Sequence, residues 1–364
     1  MKPLYEERMD DFRKEIHLRE REAFLVTKPE NVQYLSGFRG DSTWLVITEG
    51  EKVLITDSRY TEQARQESPG WPLRETTTGL VDALKAYRDS LPFADLAFDH
   101  KDVSMELYQR LDLALGADIR LYGEDDPSSL LRQVKDDWEV ARIQEAASLA
   151  DSALDALRHM VKPGISEKAL ALELDYLMGK AGSEGAAFAP IVAAGPQGAM
   201  PHARPSAYTL RQGDMVTFDF GAVAGGYRSD ITRTFVLGEP DRLQRERYLC
   251  VLEAQERALA QIRPGASTRQ VDSIAREYLT EMGYSGYFGH GLGHSLGLEI
   301  HEEPRFSQIA KDITLTPGMV MTVEPGVYIP GWGGLRIEDS VVLTENGMKI
   351  LTGYPKTLDE MVII

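Results

Sequence analysis

Residues 216–235, VTFDFGAVAGGYRSDITRTF, contain the pattern from which the fold is predicted. Apolar and polar residues alternate from 216 to 220, which is the period of a half-buried β-strand. The small residues that follow predict a reversal at 224–225 and a second, returning strand. In that register Asp219 and Asp230 lie opposite one another, with Cβ atoms roughly 4.5 to 5.5 Å apart. The segment therefore predicts a hairpin that presents two carboxylates on one face.

A degenerate copy of this pattern begins 105 residues later. The LRQG of residues 210–213 is followed six residues after its glycine by Asp219, and the LTPG of residues 315–318 is followed at the same spacing by Glu324. The second copy reverses around Gly331 and returns to Glu338, so these two glutamates should also face each other. The offset is too long for a solenoid unit. It predicts two similar halves around a pseudo-twofold axis.

Four carboxylates that converge from two hairpins need a counter-charge. Buried acids without one are costly, and neighbouring carboxylates repel unless a cation lies between them. Oxygen donors with one or two imidazoles suit manganese, cobalt or zinc better than a metal that prefers thiolates. Four acids also exceed the needs of one ion, so a pair of divalent ions roughly 3.5 to 4 Å apart, bridged by carboxylates and a water, is the expected arrangement.

Residues 289–302, GHGLGHSLGLEIHE, hold three of the chain's seven histidines. His290 and His294 have the i, i+4 spacing of a zinc-protease helix, but that motif requires Glu directly after the first histidine. This chain has Gly291 there. The histidines are therefore interpreted as further residues that line the carboxylate site. The glycines between them would allow the backbone to approach metals and peptide closely.

Composition limits the classes of protein to consider. The chain has 364 residues, enough for two domains, and a formal net charge of −17, which argues against a nucleic-acid partner. The single cysteine, Cys250, permits no intrachain disulfide and is expected in the core. The charged N-terminus lacks the apolar segment of a secretory signal, and no apolar run reaches the roughly 18 residues of a membrane span. We expect a cytoplasmic protein without membrane association.

The pattern along the chain predicts two domains of mixed α and β structure. A β-hairpin is expected over 44–56, after a strand at 24–27. The polar segment 122–127 ends in Pro127 and marks the predicted boundary, which separates residues 1–126 from 127–364. Helices are predicted at 4–20, near 60–67, 78–91 and 104–116, within 129–160 as one or two helices, and at 166–182, 241–262 and 268–282.

Several of these motifs together resemble those of the pita-bread metallopeptidases, the family that includes Xaa-Pro dipeptidase (prolidase), aminopeptidase P and methionine aminopeptidase. The resemblance spans nearly the whole chain and is strongest after about residue 130. Its motifs are FDFGAVAGGYRSDITRTF, GHGLGHSLGLEIHEEP, TVEPGVYIPG and GGLRIEDSV. TDSRY at 56–60 looks like the creatinase-type N-terminal domain of the Xaa-Pro branch, which methionine aminopeptidases commonly lack. The resemblance implies an α/β (α+β) fold: a creatinase-like α/β domain followed by a pita-bread catalytic domain.

The resemblance also implies a set of five metal ligands. Asp230 and Glu338 would bridge two ions, Asp219 would bind one ion, and His294 with Glu324 would bind the other. Glu324 would also act as general base on a water held between the ions.

Further residues match family positions around the substrate. His202 and His301 match substrate-side histidines that donate hydrogen bonds to the peptide and the developing oxyanion. His290 matches a catalytic position beside the metals, and Arg336 a substrate-binding or supporting arginine two residues before Glu338. Arg305 matches an arginine that holds the carboxylate after proline in prolidases.

The implied activity is hydrolysis of the Xaa-Pro bond of dipeptides, in a homodimer with two divalent ions, manganese or cobalt before zinc. One alternative is an aminopeptidase P that acts on longer peptides with proline second. A metal-free creatinase-like amidinohydrolase and a catalytically silent binding protein share the fold, but neither is expected to keep all five ligand types.

Overall fold

The computed structural model describes residues 3–16, 22–90 and 93–364, and divides into two compact units at Arg132–Gln133. The predicted boundary after Asp126 lies six residues upstream. The intervening residues belong to the first unit because Asn31 donates a hydrogen bond to Asp126 (2.8 Å) and accepts one from Arg132 (2.7 Å).

The first unit is a six-stranded mixed sheet with helices. The order of its strands is β4-β3-β2-β1-β5-β6, in which β2 pairs antiparallel with β1 and β3 and the remaining pairs are parallel. The predicted hairpin is present as β2 and β3. Helix α1 accounts for 5–16 of the predicted helix 4–20, and residues 17–20 lie outside the described residues. The elements are α1 (Tyr5–Ile16), β1 (Glu22–Val26), α2 (Pro29–Ser36), β2 (Thr43–Thr48), β3 (Lys52–Asp57), α3 (Thr61–Glu67), β4 (Leu73–Thr76), α4 (Leu80–Ser90), β5 (Asp95–Asp99), α5 (Met105–Leu115), β6 (Arg120–Glu124) and α6 (Ser128–Leu131).

The second unit contains two sheets and five α-helices within the described chain. Its sheets have the orders β7-β8-β11-β19 and β13-β12-β14-β17-β18, and two short hairpins, β9–β10 and β15–β16, extend from them. The elements are α7 (Asp137–Arg158), α8 (Glu167–Ala181), β7 (Ile191–Ala194), β8 (Met215–Phe220), β9 (Val223–Ala224), β10 (Tyr227–Arg228), β11 (Ile231–Leu237), α9 (Arg242–Leu259), α10 (Thr268–Leu279), β12 (Gly293–Ser295), β13 (Glu302–Phe306), β14 (Val320–Val323), β15 (Gly326–Ile329), β16 (Gly333–Arg336), β17 (Asp339–Thr344), β18 (Gly347–Ile350), α11 (Leu358–Met361) and β19 (Val362–Ile363).

The internal repeat is confirmed by matching local hydrogen bonds in the two halves. Helices α7 and α9 both begin at an aspartate with a complete capping box, Asp136 and Asp241, which are 105 residues apart. Helices α8 and α10 both begin at a serine whose side chain accepts a backbone N–H. The amide nitrogens of Gly213 and Gly318 donate to equivalent strand carbonyls, at 2.7 and 3.0 Å. The similar halves arise from locally encoded caps and turns.

The helices pack against the sheets around one large apolar core. Phe218 of β8 meets Phe235 of β11 edge to face, with ring centroids 5.7 Å apart. Cys250 is buried in this core as a free thiol, as expected. No helix in the described ranges is both long and apolar enough to span a bilayer.

The turn of the first hairpin lies one residue later than predicted. Gly225 and Gly226 form it with φ of 61° and 80°, values that a type I′ turn requires and that glycine adopts without strain. Strand pairing consequently sets Asp219 opposite Thr232, so the prediction that it directly faces Asp230 is wrong. The two acids remain near each other because Asp230 is two residues from Thr232 and side chains alternate faces with period two.

The second hairpin has the predicted register. Val323 pairs with Asp339 on one side, and Gly326 pairs with Arg336 on the other. Glu324 and Glu338 lie between these pairs and therefore oppose each other across the hairpin. The glycine-rich turn around Gly331 is longer than that of the first hairpin and keeps this register.

Candidate active site

A single pocket of about 560 Å³ in the second unit brings together all the side chains singled out from the sequence. Its base is formed where the two hairpins meet, and its walls come from β12, β13 and the loops beside them. The predicted residues that line it are His202, Asp219, Asp230, His290, His294, His301, Arg305, Glu324, Arg336 and Glu338. The residues chosen from the sequence therefore share one pocket, although the strand pairs that form it are far apart in the chain.

Three carboxylates form the centre of the pocket base. Asp219, Asp230 and Glu338 each present an oxygen within 4.8 Å of the other two. Asp230 Oδ1 and Glu338 Oε1 are buried and have no hydrogen-bond partner among the residues that the structure describes, whereas Glu338 Oε2 accepts a hydrogen bond from Thr232 (2.7 Å). Two orphaned carboxylate oxygens in one buried cluster are the arrangement that a cation would satisfy.

The pKa values of three acids in the pocket, Asp230, Glu338 and Glu324, are raised by burial and crowding. Burial raises the pKa of Asp230 well above its usual value, and repulsion from Glu338 and Asp219 adds to it. Burial and the charges of Glu324 and Asp219 similarly raise the pKa of Glu338. The pKa of Glu324 rises to about 8, mainly through burial, despite the opposing charge of Arg336. Without a cation these shifts favour the protonated forms of the three acids.

His294 presents one nitrogen to these carboxylates. Its Nε2 atom lies 3.6 Å from Asp230 Oδ2 and 3.4 Å from Glu324 Oε1. Its Nδ1–H donates to the carbonyl of Ser295 at 3.1 Å, which leaves an Nε2 lone pair directed into the site. Burial, reinforced by the neighbouring His301, lowers its pKa to about 3, so the ring is neutral. A neutral imidazole with its free nitrogen beside carboxylates is suited to ligate a metal.

Arg336 holds part of the carboxylate cluster in place. It is buried, and its guanidinium contacts Asp219 in a close ion pair. It also donates to Thr232 Oγ1 (3.2 Å) and to the Tyr328 hydroxyl (2.6 Å). These contacts make Arg336 a positioning residue for the carboxylate cluster, and its expected role toward the substrate stays a prediction. Thr232 and Tyr328 were missed by sequence reasoning, because a threonine and a tyrosine in strands have no distinctive signal.

His290 forms the end of the same hydrogen-bonded chain. Its Nδ1–H donates to the carbonyl of Gly291 (2.8 Å), and its Nε2 accepts from the hydroxyl of Tyr328 (3.0 Å). Burial lowers its pKa to about 4, and the positive charge of Arg336 acts in the same direction. The imidazole is therefore neutral and fixed in one tautomer as part of the pocket wall.

His301, His202 and Arg305 lie nearer the pocket opening. The His301 ring packs edge to face on His294, with centroids 4.5 Å apart. Partial burial and the charge of Arg305 lower the pKa of His301. The Arg305 side chain is 47% exposed, and its Nε donates to Glu303 at 3.2 Å, so the remaining guanidinium donors face the pocket and solvent. These three side chains are available to a ligand.

A buried lysine forms hydrogen bonds with the histidine segment, residues 289–302. Lys135 Nζ donates to Ser295 Oγ (2.8 Å) and to Glu302 Oε2 (3.1 Å), and the side chains of both ionic partners are almost fully buried. Ser295 adjoins His294, and Glu302 adjoins His301 in the chain. This ion pair joins residues 167 positions apart, so no local pattern could have predicted it.

Two glycines of residues 289–302 allow neighbouring strands to approach closely. A Cβ atom on Gly293 would lie 2.0 Å from the carbonyl oxygen of Thr322, and one on Gly291 would lie 2.7 Å from that of Phe306. Gly289 has open space around its Cβ position. Strand packing is thus one reason for these glycines, and their close approach to metals and peptide stays a prediction.

The donor set fits divalent metal ions. It combines buried carboxylates, two orphaned oxygens and a neutral imidazole with an available nitrogen. Cations would remove the repulsion that raises the carboxyl pKa values. The repeated hairpins and this donor set are the arrangement that the resemblance to pita-bread metallopeptidases predicted.

Comparisons with known proteins support that classification. Residues 141–345 match the model of metallopeptidase family M24, and residues 8–134 match the creatinase/prolidase N-terminal domain. The chain therefore belongs to metallopeptidase family M24, and the prediction of a metallopeptidase with this two-domain fold is confirmed.

Similar proteins include both predicted enzyme types. An Xaa-Pro dipeptidase of Pyrococcus horikoshii is 35% identical over 93% of this chain and 94% of its own length. The structure of an Xaa-Pro dipeptidase from Bacillus anthracis has a TM-score of 0.93 and 36% identity, and covers 99% of this chain and 100% of that one. An X-Pro aminopeptidase from Thermotoga maritima has a TM-score of 0.89 and 39% identity, with 96% and 100% covered.

Proposed function

We propose that this protein hydrolyses the Xaa-Pro bond of dipeptides with two divalent metal ions, manganese or cobalt before zinc. The observation that carries the proposal is the cluster of buried carboxylates in which Asp230 Oδ1 and Glu338 Oε1 have no hydrogen-bond partner within the described part of the chain. Asp230 and Glu338 would bridge the ions, Asp219 would hold one of them, and His294 with Glu324 would hold the other. When bound, the ions would polarise the scissile carbonyl and make hydroxide available near neutral pH.

The chain's own residues would supply proton transfer and orientation. Glu324 would accept a proton from the attacking water as its oxygen bonds to the carbonyl carbon before proline, and return a proton to the proline nitrogen as the C–N bond breaks. His301 and His202 would donate hydrogen bonds to the substrate and the developing oxyanion. The reaction then releases the first residue with a new carboxylate and proline with a free imino nitrogen.

Proline requires a dedicated pocket because the Xaa-Pro bond is a tertiary amide. It has no N–H to donate, and the ring fixes φ near −65°. A groove that recognises peptides through that N–H cannot hold it. His290 lines the pocket as a neutral ring and offers a flat surface against which a rigid pyrrolidine can pack.

The preference for dipeptides depends on Arg305. A dipeptidase must bind the carboxylate directly after proline, and a guanidinium binds carboxylates with two parallel hydrogen bonds. Arg305 lines the pocket and has donors that are not used by Glu303. The alternative, an aminopeptidase P, would accept peptides that continue past proline, and the relatives of similar identity include an X-Pro aminopeptidase.

Ala-Pro and Ala-Pro-Ala distinguish the two activities. With the purified protein and added manganese, we expect kcat/KM for Ala-Pro to exceed that for Ala-Pro-Ala by about tenfold or more, because only the dipeptide places its carboxylate beside Arg305. Product formation by chromatography measures both rates. Turnover of the tripeptide alone would reject dipeptidase activity in favour of aminopeptidase P.

Arg305→Met tests the carboxylate site directly. Loss of a charge-assisted bidentate contact is expected to raise KM for Ala-Pro about 10- to 100-fold, with a smaller effect on Ala-Pro-Ala. Arg242→Met, at an exposed arginine outside the pocket, is the matched control. An equal effect of Arg305→Met on both peptides would show that this arginine does not read the free carboxylate.

The remaining expectations concern the cellular setting. A homodimer in the cytoplasm is proposed from resemblance to family members, and size-exclusion chromatography with light scattering tests the dimer. The full set of ligand types argues against a metal-free amidinohydrolase or a silent binding protein.

A further inference from the structure

Ile309 stands out because a large apolar side chain projects into solvent at the edge of the catalytic pocket. It is 98% exposed, yet it lines the same cavity as the carboxylate cluster. An apolar side chain in that position loses the benefit of burial unless a ligand covers it. The hydrogen bonds on either side of Ile309 show whether its loop is fixed.

The residue before Ile309 fixes the loop to helix α10. Gln308 Nε2 donates to Asp272 Oδ2 (2.8 Å), to Ser273 Oγ (3.0 Å) and to the carbonyl of Arg269 (3.1 Å). The same Asp272 is fully buried and accepts the backbone N–H of Leu292 at 3.0 Å, two residues before His294. One carboxylate therefore anchors both the Ile309 loop and the segment that carries the proposed metal-binding histidine.

The residues after Ile309 are anchored to the start of the same helix. Asp312 Oδ1 accepts hydrogen bonds from Ser267 Oγ (2.6 Å) and from the backbone N–H of Arg269 (3.1 Å). Arg269 in turn donates to the carbonyl of Ala310 at 3.2 Å. Hydrogen bonds before and after Ile309 thus hold it at the edge of the pocket, and the fixed conformation of the loop keeps its side chain exposed.

Other apolar residues line the same cavity as Ile309. Phe188, Ile191 and Ile300 are half-buried there, beside the carboxylate cluster and Arg305. The cavity therefore offers apolar surface as well as charged groups to a substrate.

We propose that Ile309 is a specificity-determining residue that contacts the side chain preceding proline and favours large apolar residues at that position. The inference rests on the proposed Xaa-Pro activity. Among Xaa-Pro dipeptides the proline ring and its carboxylate are constant, so a rim contact can discriminate only through the preceding side chain. Because the loop is already held in place, this contact forms with little additional ordering of the enzyme.

The test compares Gly-Pro, Ala-Pro, Leu-Pro and Phe-Pro with the full-length, manganese-loaded protein. The wild type is expected to prefer Leu-Pro to Gly-Pro, and Ile309→Ala is expected to lower the ratio of their kcat/KM values about tenfold, as for loss of a few methylenes from an apolar pocket. Leu113→Ala is the matched control, because Leu113 is 86% exposed and lies outside the pocket, and it should leave the ratio unchanged.

A second variant tests the anchoring. Gln308→Ala removes three hydrogen bonds from the loop while Asp272 keeps its contacts with Arg276 and Leu292. It should lower the Leu-Pro to Gly-Pro ratio in the same direction as Ile309→Ala, with an unchanged unfolding midpoint and metal content.

The outcomes separate this inference from the proposed function. If the wild type cleaves Xaa-Pro dipeptides but Ile309→Ala changes Leu-Pro and Gly-Pro equally, the specificity role is rejected and the dipeptidase activity stands. If Ile309→Ala instead alters the oligomeric state with an unchanged ratio, Ile309 belongs to an interface and the inference is again overturned. If the wild type cleaves no Xaa-Pro dipeptide, the proposed function itself fails.

Discussion

Replacement of Glu338 by glutamine is expected to lower kcat by at least about a thousandfold and to reduce bound metal. Glu338 is buried, one of its oxygens has no partner, and the other is held by Thr232. An amide of the same shape keeps the packing but loses the charge that would bridge two ions, so both ions are affected together. Steady-state kinetics and metal analysis of dialysed protein measure the two effects.

Although Glu338→Gln is expected to lower activity, it is expected to stabilise the metal-free protein. In metal-free protein, Glu338 lies among acids that repel one another, so Glu338→Gln is expected to raise the unfolding midpoint relative to metal-free wild type. Glu345→Gln, at an exposed acid in the turn between β17 and β18, controls for loss of charge alone. Full metal content and normal turnover in Glu338→Gln would remove Glu338 from the ligand set.

Chelation is expected to abolish activity, and addition of manganese or cobalt to restore it. A metal that binds only the folded state should also stabilise it, by about 2.7 kcal/mol at a free concentration 100 times its dissociation constant. Thermal unfolding with and without each ion, beside turnover measurements with manganese, cobalt and zinc, tests this directly. Activity that survives thorough chelation would reject the proposed metal mechanism.

The chelated protein should also show a distinct pH dependence. In the folded state the pKa of Glu324 is raised to about 8, above the ordinary 4.5 that applies on unfolding. Between these values the folded protein binds more protons than the unfolded one, so stability present below about pH 4.5 is lost as pH rises through 8. Bound metal should flatten this slope, because it takes over the role of the protons. If the free energy of unfolding of the metal-free protein does not fall between about pH 4.5 and 8, the buried arrangement of the acids is contradicted.

Much of the structure of the catalytic unit could be predicted from the sequence, because the patterns that determine it are local. Alternation around Asp219, the glycine-rich turns and the 105-residue offset each predict structure from neighbouring residues. The strand register around Gly331 was predicted correctly from the position of its turn. The register of the first hairpin was predicted one residue too early. Its turn could lie at 224–225 or at 225–226, because several neighbouring small residues are compatible with a turn, and the choice depends on which two residues adopt positive φ.

Residue patterns alone thus predicted the two-domain class, the repeated hairpins and the acids and histidines that gather in one pocket. How those side chains are held depends on contacts between distant parts of the chain: Arg336 and Thr232 hold the carboxylates, and Lys135 holds the histidine segment. Tertiary contacts also decided that Ile309 stands at the rim. These contacts join residues up to 167 positions apart, and their formation depends on the packing of whole strands and helices. Local residue patterns encode turns and faces, whereas the pairing of buried charges is specified only when the chain has folded around them.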